Sequence, residues 1–340
     1  MFKREIEIPS PEAMREESPL SASLEKGRKE RIALIKRVLS GEEDKFLVIV
    51  GPCSAHAEAP VLEYVKRLGN LQERVQEKLV LIPRIFTDKP RTKGVGYKGM
   101  FSQPDLKAHE DILRGIRAVR RLHLRAIEES GLYAASEMTP GHSEYIEDLT
   151  AYAVVGARTS EDPLHRMTAS GLSVAVGIKN PMSGSIPALV NSVYAAQHPQ
   201  TFLYRGWQVT TEGNPYAHTV LRGRVDAEGK DFANFDLSTV KKILEEYDDR
   251  AELRHPAAVI DTNHSNSGKR YKEQIRISEE VLKNRDKDEA YRKLVKGLMI
   301  ESFLEEGCQS CDEIYGKSIT DPCLGWADTE RLILTIAEKV

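Results

Sequence analysis

The chain has 340 residues, of which 40% are hydrophobic and 30% charged, and its formal net charge is -3 at pH 7. This composition is typical of a globular protein with a substantial core, and it excludes a fibrous or disordered chain. A net charge this small gives no general attraction to nucleic acid or to an anionic membrane surface. Any binding of anions must therefore depend on local clusters of positive charge.

Export and membrane insertion are not predicted. The longest apolar runs, such as residues 46–50, are far shorter than the roughly 18–20 residues that a membrane-spanning helix needs. Lys3, Arg4 and Glu5 stand where a signal peptide would carry its apolar segment. Four cysteines are also too few for the disulfide framework of a small secreted protein. We therefore predict a cytoplasmic protein that binds neither membrane nor nucleic acid.

Short β-branched or apolar runs alternate with longer helix-period segments, which is typical of βα units that form a parallel sheet. Eight runs are predicted as strands: residues 46–50, 79–85, 133–137, 152–156, 174–178, 201–204, 257–260 and 296–300. The predicted helices are residues 24–39, 61–76, 111–129, 143–150, 186–197, 237–247, 271–284 and 328–338. Gly131 is the predicted C-terminal cap of the third of these helices, and Asp328 the predicted N-cap of the last.

Eight strands with intervening helices favour an α/β fold of the (β/α)8 TIM-barrel type over an open doubly wound sheet. Residues 44–340 are predicted to form this single barrel domain, and residues 1–43 an N-terminal extension. The stretch 206–222 carries the turn residues Gly213, Asn214 and Pro215 between two alternating arms. It is interpreted as a β-hairpin inserted after the sixth strand.

In a closed barrel, catalytic side chains lie at the carboxyl ends of the strands. Several cationic residues follow the predicted strands: Arg84, Lys89, Arg91, Arg158, Lys179, Arg205 and Arg222. Like charges that converge on one mouth repel one another, and a bound phosphate or carboxylate would compensate for that repulsion. The alternative is that these residues form structural ion pairs with the many acidic residues. The residues alone leave both interpretations open.

A second set combines a thiol, an imidazole and two carboxylates from three strand ends: Cys53, His264, Glu301 and Asp321. Mixed donors of this kind accept Mn²⁺, Fe²⁺, Co²⁺ or Zn²⁺. The four residues lack the short spacing that makes zinc motifs recognisable, and each also has an ordinary structural interpretation. The sequence pattern therefore suggests a metal site without requiring one.

Cys308 and Cys311 form a CxxC pattern in the loop after the eighth predicted strand. A structural zinc site would need a second pair of ligands, and a thioredoxin-like site would need that fold around it. Neither context is present in the sequence. We interpret the pair as incidental thiols, with redox sensitivity as the alternative.

A series of short motifs occurs in the following order: GPCSAH at 51–56, KPRT at 89–92, GYKG at 96–99, GART at 156–159, HRMTASGL at 165–172, VGIKN at 176–180, LRG at 221–223, IDTNHSNSGK at 260–269, MIES at 299–302 and YGKSITDPCLGW at 315–326. Together these motifs resemble those of the type I 3-deoxy-D-arabino-heptulosonate 7-phosphate (DAHP) synthases. The resemblance extends from about Glu43 to the C-terminus and follows the order of the family's motifs.

The resemblance implies that one divalent ion is bound by Cys53, His264, Glu301 and Asp321. It implies that phosphoenolpyruvate is held by Arg84, Lys89, Ala157, Arg158, Lys179 and Arg222. The erythrose 4-phosphate would be bound by the loop of Lys89, Pro90, Arg91 and Thr92. The implied catalytic residues are Lys89, Glu137 and His264, with Lys89 as proton donor and Glu137 beside a water molecule.

The implied reaction is a metal-dependent condensation of these two substrates to DAHP and phosphate, the first step of the shikimate pathway. One alternative is a KDO 8-phosphate synthase, which typically has KANRS-like residues where this chain has KPRT. Another is a catalytically silent barrel that binds aromatic amino acids. The resemblance also implies a homodimer or homotetramer and an aromatic amino acid effector. Pro181 and Met182 depart from the small polar residues of better-known enterobacterial members, so the kind of feedback control stays open.

Overall fold

The protein is described by a computed structural model, in which residues 1–89 and 96–340 are placed. In these two segments the strands, in chain order, are β1 (Phe46–Gly51), β2 (Leu79–Pro83), β3 (Ala134–Glu137), β4 (Thr150–Val155), β5 (Ala175–Lys179), β6 (Thr201–Tyr204), β7 (Trp207–Thr210), β8 (Ala217–Leu221), β9 (Arg224–Val225), β10 (Asp231–Phe232), β11 (Ala258–Asp261), β12 (Val295–Glu301), β13 (Glu305–Cys308) and β14 (Lys317–Ser318).

The α-helices are α1 (Pro11–Glu17), α2 (Ala22–Ser40), α3 (Glu58–Val75), α4 (Ile112–Ser130), α5 (Pro163–Gly171), α6 (Ile186–Gln197), α7 (Leu237–Asp248), α8 (His264–Ser267), α9 (Glu273–Lys287), α10 (Glu289–Leu294) and α11 (Trp326–Lys339). Two short 3-10 helices, Ser143–Tyr145 and Glu147–Leu149, precede β4. No helix in the described segments is long and apolar enough to cross a membrane.

Eight parallel strands form one sheet in the order β2-β1-β12-β11-β8-β5-β4-β3. The two outer strands of this order meet through a parallel bridge between Arg84 and Ala135, where the Ile85 amide donates to the Ala135 carbonyl at 3.1 Å. The sheet is therefore closed, and the predicted TIM barrel is confirmed. Apart from Glu137 and Lys296, every residue of these eight strands is buried, as expected for a sheet covered by helices outside and packed side chains within.

The helix α4 illustrates why these segments fold as they do. The Asp111 side chain accepts from the Arg114 amide at 3.0 Å and caps the N-terminus, and Gly131 ends the helix as predicted, at a φ of 69°. Ile116, Val119 and Leu122 recur on one face and are fully buried. Burial of each of these side chains contributes roughly 1.5–3 kcal/mol, which fixes the helix against the barrel.

The prediction for the sixth barrel strand was wrong. Residues Thr201–Tyr204 pair antiparallel with Trp207–Thr210 and form an exposed hairpin that follows α6 in the chain and precedes β8. The sixth barrel strand is β8, Ala217–Leu221, which is buried along its whole length and pairs with β5 and β11. The predicted hairpin 206–222 therefore overlaps β7 and β8, and the short antiparallel pair that follows the sixth strand is β9 with β10.

Two helix predictions also need correction. Residues 143–150 form 3-10 turns and the start of β4 rather than an α-helix. The last helix begins earlier than predicted, with Gly325 at its N-cap and Asp328 in its first turn. No helix was predicted between the fourth and fifth strands. The structure has α5 there, which begins at Pro163 and which Asp162 caps by accepting from the His165 amide at 3.2 Å.

The helices α1 and α2 precede the barrel and pack against it. In α2, the Arg28 guanidinium donates to the carbonyls of Glu147 and Thr150 at 2.6 and 2.7 Å. Ile35 and Val38 from the same helix are buried in the common core. This docking places α2 across the amino ends of the barrel strands, where it contacts β1, β4 and β5, and leaves the carboxyl ends open.

Candidate active site

A cavity of about 570 Å³ opens at the carboxyl ends of the barrel strands. This volume suits small-molecule ligands, and the position is where barrel enzymes carry their active sites. Six cationic side chains from the described segments line it: Arg84, Lys89, Arg158, Lys179, Arg222 and Lys269. Three carboxylates lie among them: Glu137, Asp231 and Asp321. The cavity therefore carries a local excess of positive charge in a protein whose net charge is slightly negative.

Three metal-donor side chains meet at the base of this cavity. Ligand atoms of Cys53, Glu301 and Asp321 all lie within 4.8 Å of one another. Glu301 ends β12 in register with Gly51 of β1, which places it beside the loop that carries Cys53. A Cβ atom at Gly51 would lie 2.5 Å from the Arg84 carbonyl oxygen, so only glycine permits this close approach of β1 and the end of β2.

His264, the fourth predicted donor, lies beside this cluster. Its Nε2 atom is 3.8 Å from Glu301 Oε1, while its Nδ1 atom is 2.8 Å from Asp261 Oδ2. His264 has a φ of 49°, a left-handed conformation that is strained for a non-glycine residue and that accumulates at functional sites. A carboxylate behind one ring nitrogen is the usual support of a histidine whose other nitrogen binds a metal.

The two carboxylates of the cluster are held ionised, and one of their oxygens has no well-oriented hydrogen bond. Glu301 Oε1 is buried and accepts no well-oriented hydrogen bond from the described part of the chain, although it lies 3.0 Å from the Arg84 guanidinium. Burial alone would raise the pKa of the Glu301 carboxyl, but Arg84 and His264 hold it below its ordinary value. For Asp321, Lys269 and His264 likewise outweigh burial and lower the pKa. Ionised carboxylates, a thiol and an imidazole around an orphaned oxygen fit a divalent transition metal.

Lys89 joins the metal-donor cluster to the cationic set. Its Nζ atom donates to Cys53 Sγ at 3.2 Å, and Cys53 Sγ lies 3.7 Å from Asp321 Oδ2. Burial and the Glu301 carboxylate raise the pKa of the Cys53 thiol, and Lys89 opposes this rise. Burial alone would lower the pKa of Lys89, but Cys53 and the nearby carboxylates raise it. Lys89 is therefore held protonated close to the cluster.

Some of the predicted cations have structural partners. Lys179 Nζ lies 2.7 Å from Asp261 Oδ2, and Arg84 donates to the Pro52 carbonyl at 2.6 Å in addition to its pairing with Glu301. The alternative of structural ion pairs is thus correct for these two residues, although both still line the cavity.

The other cations are less compensated. Arg222 donates to Ser265 Oγ at 3.0 Å, and burial lowers its pKa. Arg158 is exposed at the mouth. Within the described residues, no carboxylate oxygen lies within 4.0 Å of Lys89, Arg158 or Arg222. These three side chains are therefore available to an anionic ligand.

Glu137 ends β3 and faces the cavity. Its position depends on Gly156, because a Cβ atom there would lie 2.7 Å from Glu137 Oε1. Ala157 and Arg158 follow Gly156 on the same rim. The carboxylate, the backbone turn and the guanidinium thus share one side of the cavity.

The structure brings most of the predicted site residues to this one mouth: Cys53, Arg84, Lys89, Glu137, Ala157, Arg158, Lys179, Arg222, His264, Glu301 and Asp321. Pro90, Arg91 and Thr92 lie outside the described residues. Arg205 was a wrong candidate, because it lies on the hairpin and pairs with Glu12 at 2.8 Å.

Asp261 supports both Lys179 and His264 and was given no role in the predictions from sequence. Its signal was its position at the end of a barrel strand, three residues before His264. Lys269 and Ser265 lay inside a motif already quoted, whereas Met182 and Asp231 had no signal in the sequence for a place in this cavity.

Comparison with known proteins gives a consistent result. The family model described as "DAHP synthetase I family" matches residues 20–333. The Trp-sensitive phospho-2-dehydro-3-deoxyheptonate aldolase of Enterobacter agglomerans is 38% identical, over 98% of this chain and 94% of the relative. The Tyr-sensitive enzyme of Salmonella typhimurium strain LT2 is 34% identical, over 96% and 91%. The solved structure of phospho-2-dehydro-3-deoxyheptonate aldolase from Francisella tularensis SCHU S4 matches with a TM-score of 0.91 at 30% identity, covering 100% of this chain and 98% of that one.

Proposed function

Since the chain is an enzyme that belongs to the DAHP synthetase I family, we propose that it condenses phosphoenolpyruvate with erythrose 4-phosphate to DAHP and phosphate with the help of a divalent metal ion. The observation that carries this proposal is that a cluster of metal-donor side chains and a set of uncompensated cations share one cavity at the barrel mouth. Both substrates are phosphate esters, and one also carries a carboxylate.

Phosphoenolpyruvate is assigned to the cationic side of the cavity. Arg158 and Arg222 lack carboxylate partners among the described residues and offer forked donors to its phosphate, beside the backbone of Ala157. Lys179 and Arg84 are buried at 5% and 2% exposure and supply fixed positive charge deeper in the cavity. Because these groups are held in place before the substrate arrives, they fix it without a large cost of reorganisation.

Erythrose 4-phosphate is assigned to the loop that begins at Lys89. The sequence of that loop, Lys89-Pro90-Arg91-Thr92, provides a guanidinium and a hydroxyl for the phosphate of the acceptor. Lys89 itself lies 3.2 Å from Cys53 Sγ and thus beside the proposed metal site. The same KPRT sequence argues against a KDO 8-phosphate synthase, whose acceptor is a five-carbon sugar phosphate.

The metal ion is assigned to Cys53, His264, Glu301 and Asp321, which fit Mn²⁺, Fe²⁺, Co²⁺ or Zn²⁺. When bound, such an ion supplies Lewis-acid polarisation of the acceptor's aldehyde oxygen.

The protein's own residues then have distinct tasks. The methylene carbon of phosphoenolpyruvate forms the new carbon–carbon bond to the aldehyde carbon, and Lys89 gives its proton to the developing alkoxide. Glu137 holds the water that adds to the neighbouring carbon of phosphoenolpyruvate. The resulting tetrahedral intermediate expels phosphate by carbon–oxygen cleavage, and the surrounding cations bind the released phosphate. Positioning of this kind contributes several kcal/mol to catalysis.

Acceptor choice tests this assignment. Turnover with erythrose 4-phosphate should greatly exceed turnover with arabinose 5-phosphate, and the Lys89→Met variant should lose turnover, since it keeps the length of the side chain without the proton. Lys98→Met is a matched control, because Lys98 lies nearby in an exposed pair with Glu110. A preference for arabinose 5-phosphate would reassign the protein to the KDO 8-phosphate synthases. Absence of turnover with either acceptor, in protein that still binds aromatic amino acids, would favour the silent barrel.

An aromatic amino acid effector also has a matching cavity. A space of about 390 Å³ lies between α1, the loop after β3 and the β6–β7 hairpin. Tyr145, Leu164 and Leu203 offer it apolar surface. Glu144 also lines it, is 4% exposed, and has a carboxylate oxygen, Oε2, with no hydrogen-bond partner among the described residues, which suits an ammonium group. Arg205 also lines the cavity, with its guanidinium paired to Glu12.

Titration with phenylalanine, tyrosine and tryptophan in turn tests this effector site. One of the three should bind and inhibit, and Glu144→Gln should weaken that binding without changing turnover in its absence. Equal binding to the Glu144→Gln variant would remove the site from this cavity.

We further assign the protein to the cytoplasm. We assign residues 1–43 to an extension that takes part in the contacts of a homodimer or homotetramer, which sedimentation of a chain lacking these residues would test.

A further inference from the structure

Cys308 and Cys311 have no role in the proposed reaction. Both are exposed free thiols, and they are separated by only two residues. Pairs with this spacing readily exchange between dithiol and disulfide when both sulfurs are accessible. The remaining cysteines, Cys53 and Cys323, are 1% and 0% exposed. A dissolved oxidant therefore reaches the CxxC pair first.

The two cysteines belong to a loop whose shape depends on one side chain. Gln309 Nε2 donates to the carbonyls of Ile314 and Lys317 at 2.9 and 3.0 Å. Its Oε1 atom accepts from the amides of Glu313 and Ile314 at 3.1 and 2.8 Å. These four bonds fold residues 309–317 back on themselves, between β13 and β14.

This loop and the segment that follows it contact the residues next to Cys53 at two points. Asp312 follows Cys311 directly, and its Oδ1 atom lies 3.2 Å from Nε2 of His56, a 3% exposed residue in the loop of Cys53. On the other side, Thr320 Oγ1 lies 2.9 Å from Ser54 Oγ, and the next residue, Asp321, is part of the cluster. A change in the shape of the CxxC loop is therefore transmitted to the segment that carries Cys53.

We infer that Cys308 and Cys311 form a reversible disulfide site that reports the thiol redox state of the cell to the loop of Cys53. The oxidant is a low-molecular-weight disulfide of the glutathione class. The thiolate of one cysteine attacks a sulfur of that disulfide and expels one thiolate, which leaves a mixed disulfide. The second cysteine thiolate attacks the protein sulfur of the mixed disulfide and expels the second small thiolate. The protein loses two electrons and two protons, and the small disulfide becomes two thiols.

The bridge constrains the loop because a disulfide holds two Cα atoms roughly 4.4–6.8 Å apart with a fixed torsion. When the bond forms, Cys311 must shift to meet this geometry, and Asp312, the next residue, is then expected to lose its contact with His56. The loop of Cys53 then loses its contact with Asp312, while the contact between Ser54 and Thr320 remains. The effect of the bridge on metal binding rests on the proposed function. The bridge itself and the faster hydrogen exchange in residues 53–56 do not, because both are measured without substrate or turnover.

The test uses the full-length metal-loaded protein, incubated with oxidised glutathione and then divided for peptide mapping and hydrogen-exchange mass spectrometry. A peptide containing linked Cys308 and Cys311 should appear. Exchange in residues 53–56, which include the Ala55 amide bonded to the Phe86 carbonyl at 2.8 Å, should become several-fold faster and return to its starting rate with dithiothreitol. Cys308→Ser and Cys311→Ser should show neither change, while Cys323→Ser should behave as the wild type.

The variant Asp312→Ala separates the bridge from its transmission. Without any oxidant it should show the same faster exchange in residues 53–56, because it removes the His56 contact directly. A glutathione adduct without a bridge, or a link from either cysteine to Cys53, would overturn the site. A bridge that leaves exchange in residues 53–56 unchanged would overturn its coupling to the cluster.

Discussion

Replacing Asp261 by asparagine tests whether this buried carboxylate holds Lys179 and His264 in place at the proposed site. Asp261 Oδ2 lies 2.7 Å from Lys179 Nζ and 2.8 Å from His264 Nδ1, while Oδ1 accepts from the Asn263 amide at 3.1 Å. Burial alone would raise the pKa of Asp261, but His264 and Lys179 hold it well below its ordinary value. The Asp261 carboxylate therefore holds Lys179, which lines the cavity, and His264, a candidate metal ligand. It also holds the turn at Asn263 that leads to His264.

The size of the effect follows from burial. Asp261 is 1% exposed and Lys179 5%, so the substitution leaves an ammonium group buried without its counter-charge. Removing one partner of a buried pair costs about 3–5 kcal/mol, and the asparagine oxygen can still accept from Lys179, so we expect about 3 kcal/mol. Loss of the carboxylate behind His264 should also weaken metal binding about 10- to 100-fold.

Urea unfolding measures the first effect, and titration of metal-free protein with Mn²⁺ measures the second. Glu280→Gln is a control with the same change of charge, because Glu280 pairs with Arg276 on the exposed face of α9 and should change stability by less than about 0.5 kcal/mol. If Asp261→Asn bound Mn²⁺ as tightly as the wild type, the role of Asp261 in orienting His264 would be refuted. Stability equal to that of the control would refute the buried pair.

Two further predictions concern other residues. Burial and the neighbouring Arg120 lower the pKa of His123 from 6.5 to about 4, so the unfolded chain takes up a proton below pH 6.5 that the folded chain does not accept until about pH 4. The contribution of neutral His123 to the free energy of unfolding is thus complete above pH 6.5 and is lost as the pH falls toward 4. In urea unfolding, His123→Leu should therefore lose about 3 kcal/mol less stability than the wild type over this pH range. A pH dependence equal to that of the wild type would contradict this. Gly156→Ala should lower turnover while Mn²⁺ binding stays unchanged, because the added Cβ displaces Glu137; wild-type turnover would remove Glu137 from catalysis.

Most barrel strands were predictable because a buried parallel strand is a short apolar run, as residues 46–50 are. The sixth strand was not, because β8 contains His218 and Thr219, which read as polar in the sequence. Both are fully buried: His218 Nε2 lies 2.7 Å from the Tyr152 hydroxyl, and Thr219 donates to the Ala257 carbonyl at 2.9 Å. Residues 201–204 have strand-forming side chains but alternate in exposure, as in a surface hairpin. Only tertiary contacts distinguish the two segments.

Candidate site residues could be predicted from the sequence where a reactive or charged residue type stands at the carboxyl end of a predicted strand. Position at a strand end suggested Cys53 and Glu301, but their convergence depends on the register of β1 with β12, which the sequence does not specify. Arg205 failed as a candidate because its strand was placed in the barrel. Asp261 lies in the quoted motif at 260–269 but was given no role, because it acts by supporting Lys179 and His264 and a supporting carboxylate has no sequence pattern of its own.

Formation of DAHP from phosphoenolpyruvate and erythrose 4-phosphate, by protein stripped of metal and then reconstituted, tests the central claim most directly. Metal-free protein should form no product, added Mn²⁺ or Co²⁺ should restore turnover, and Cys53→Ala should stay inactive with its fold intact. Full turnover in a preparation verified to be free of metal would contradict the proposal that Cys53, Glu301 and Asp321 hold a catalytic ion.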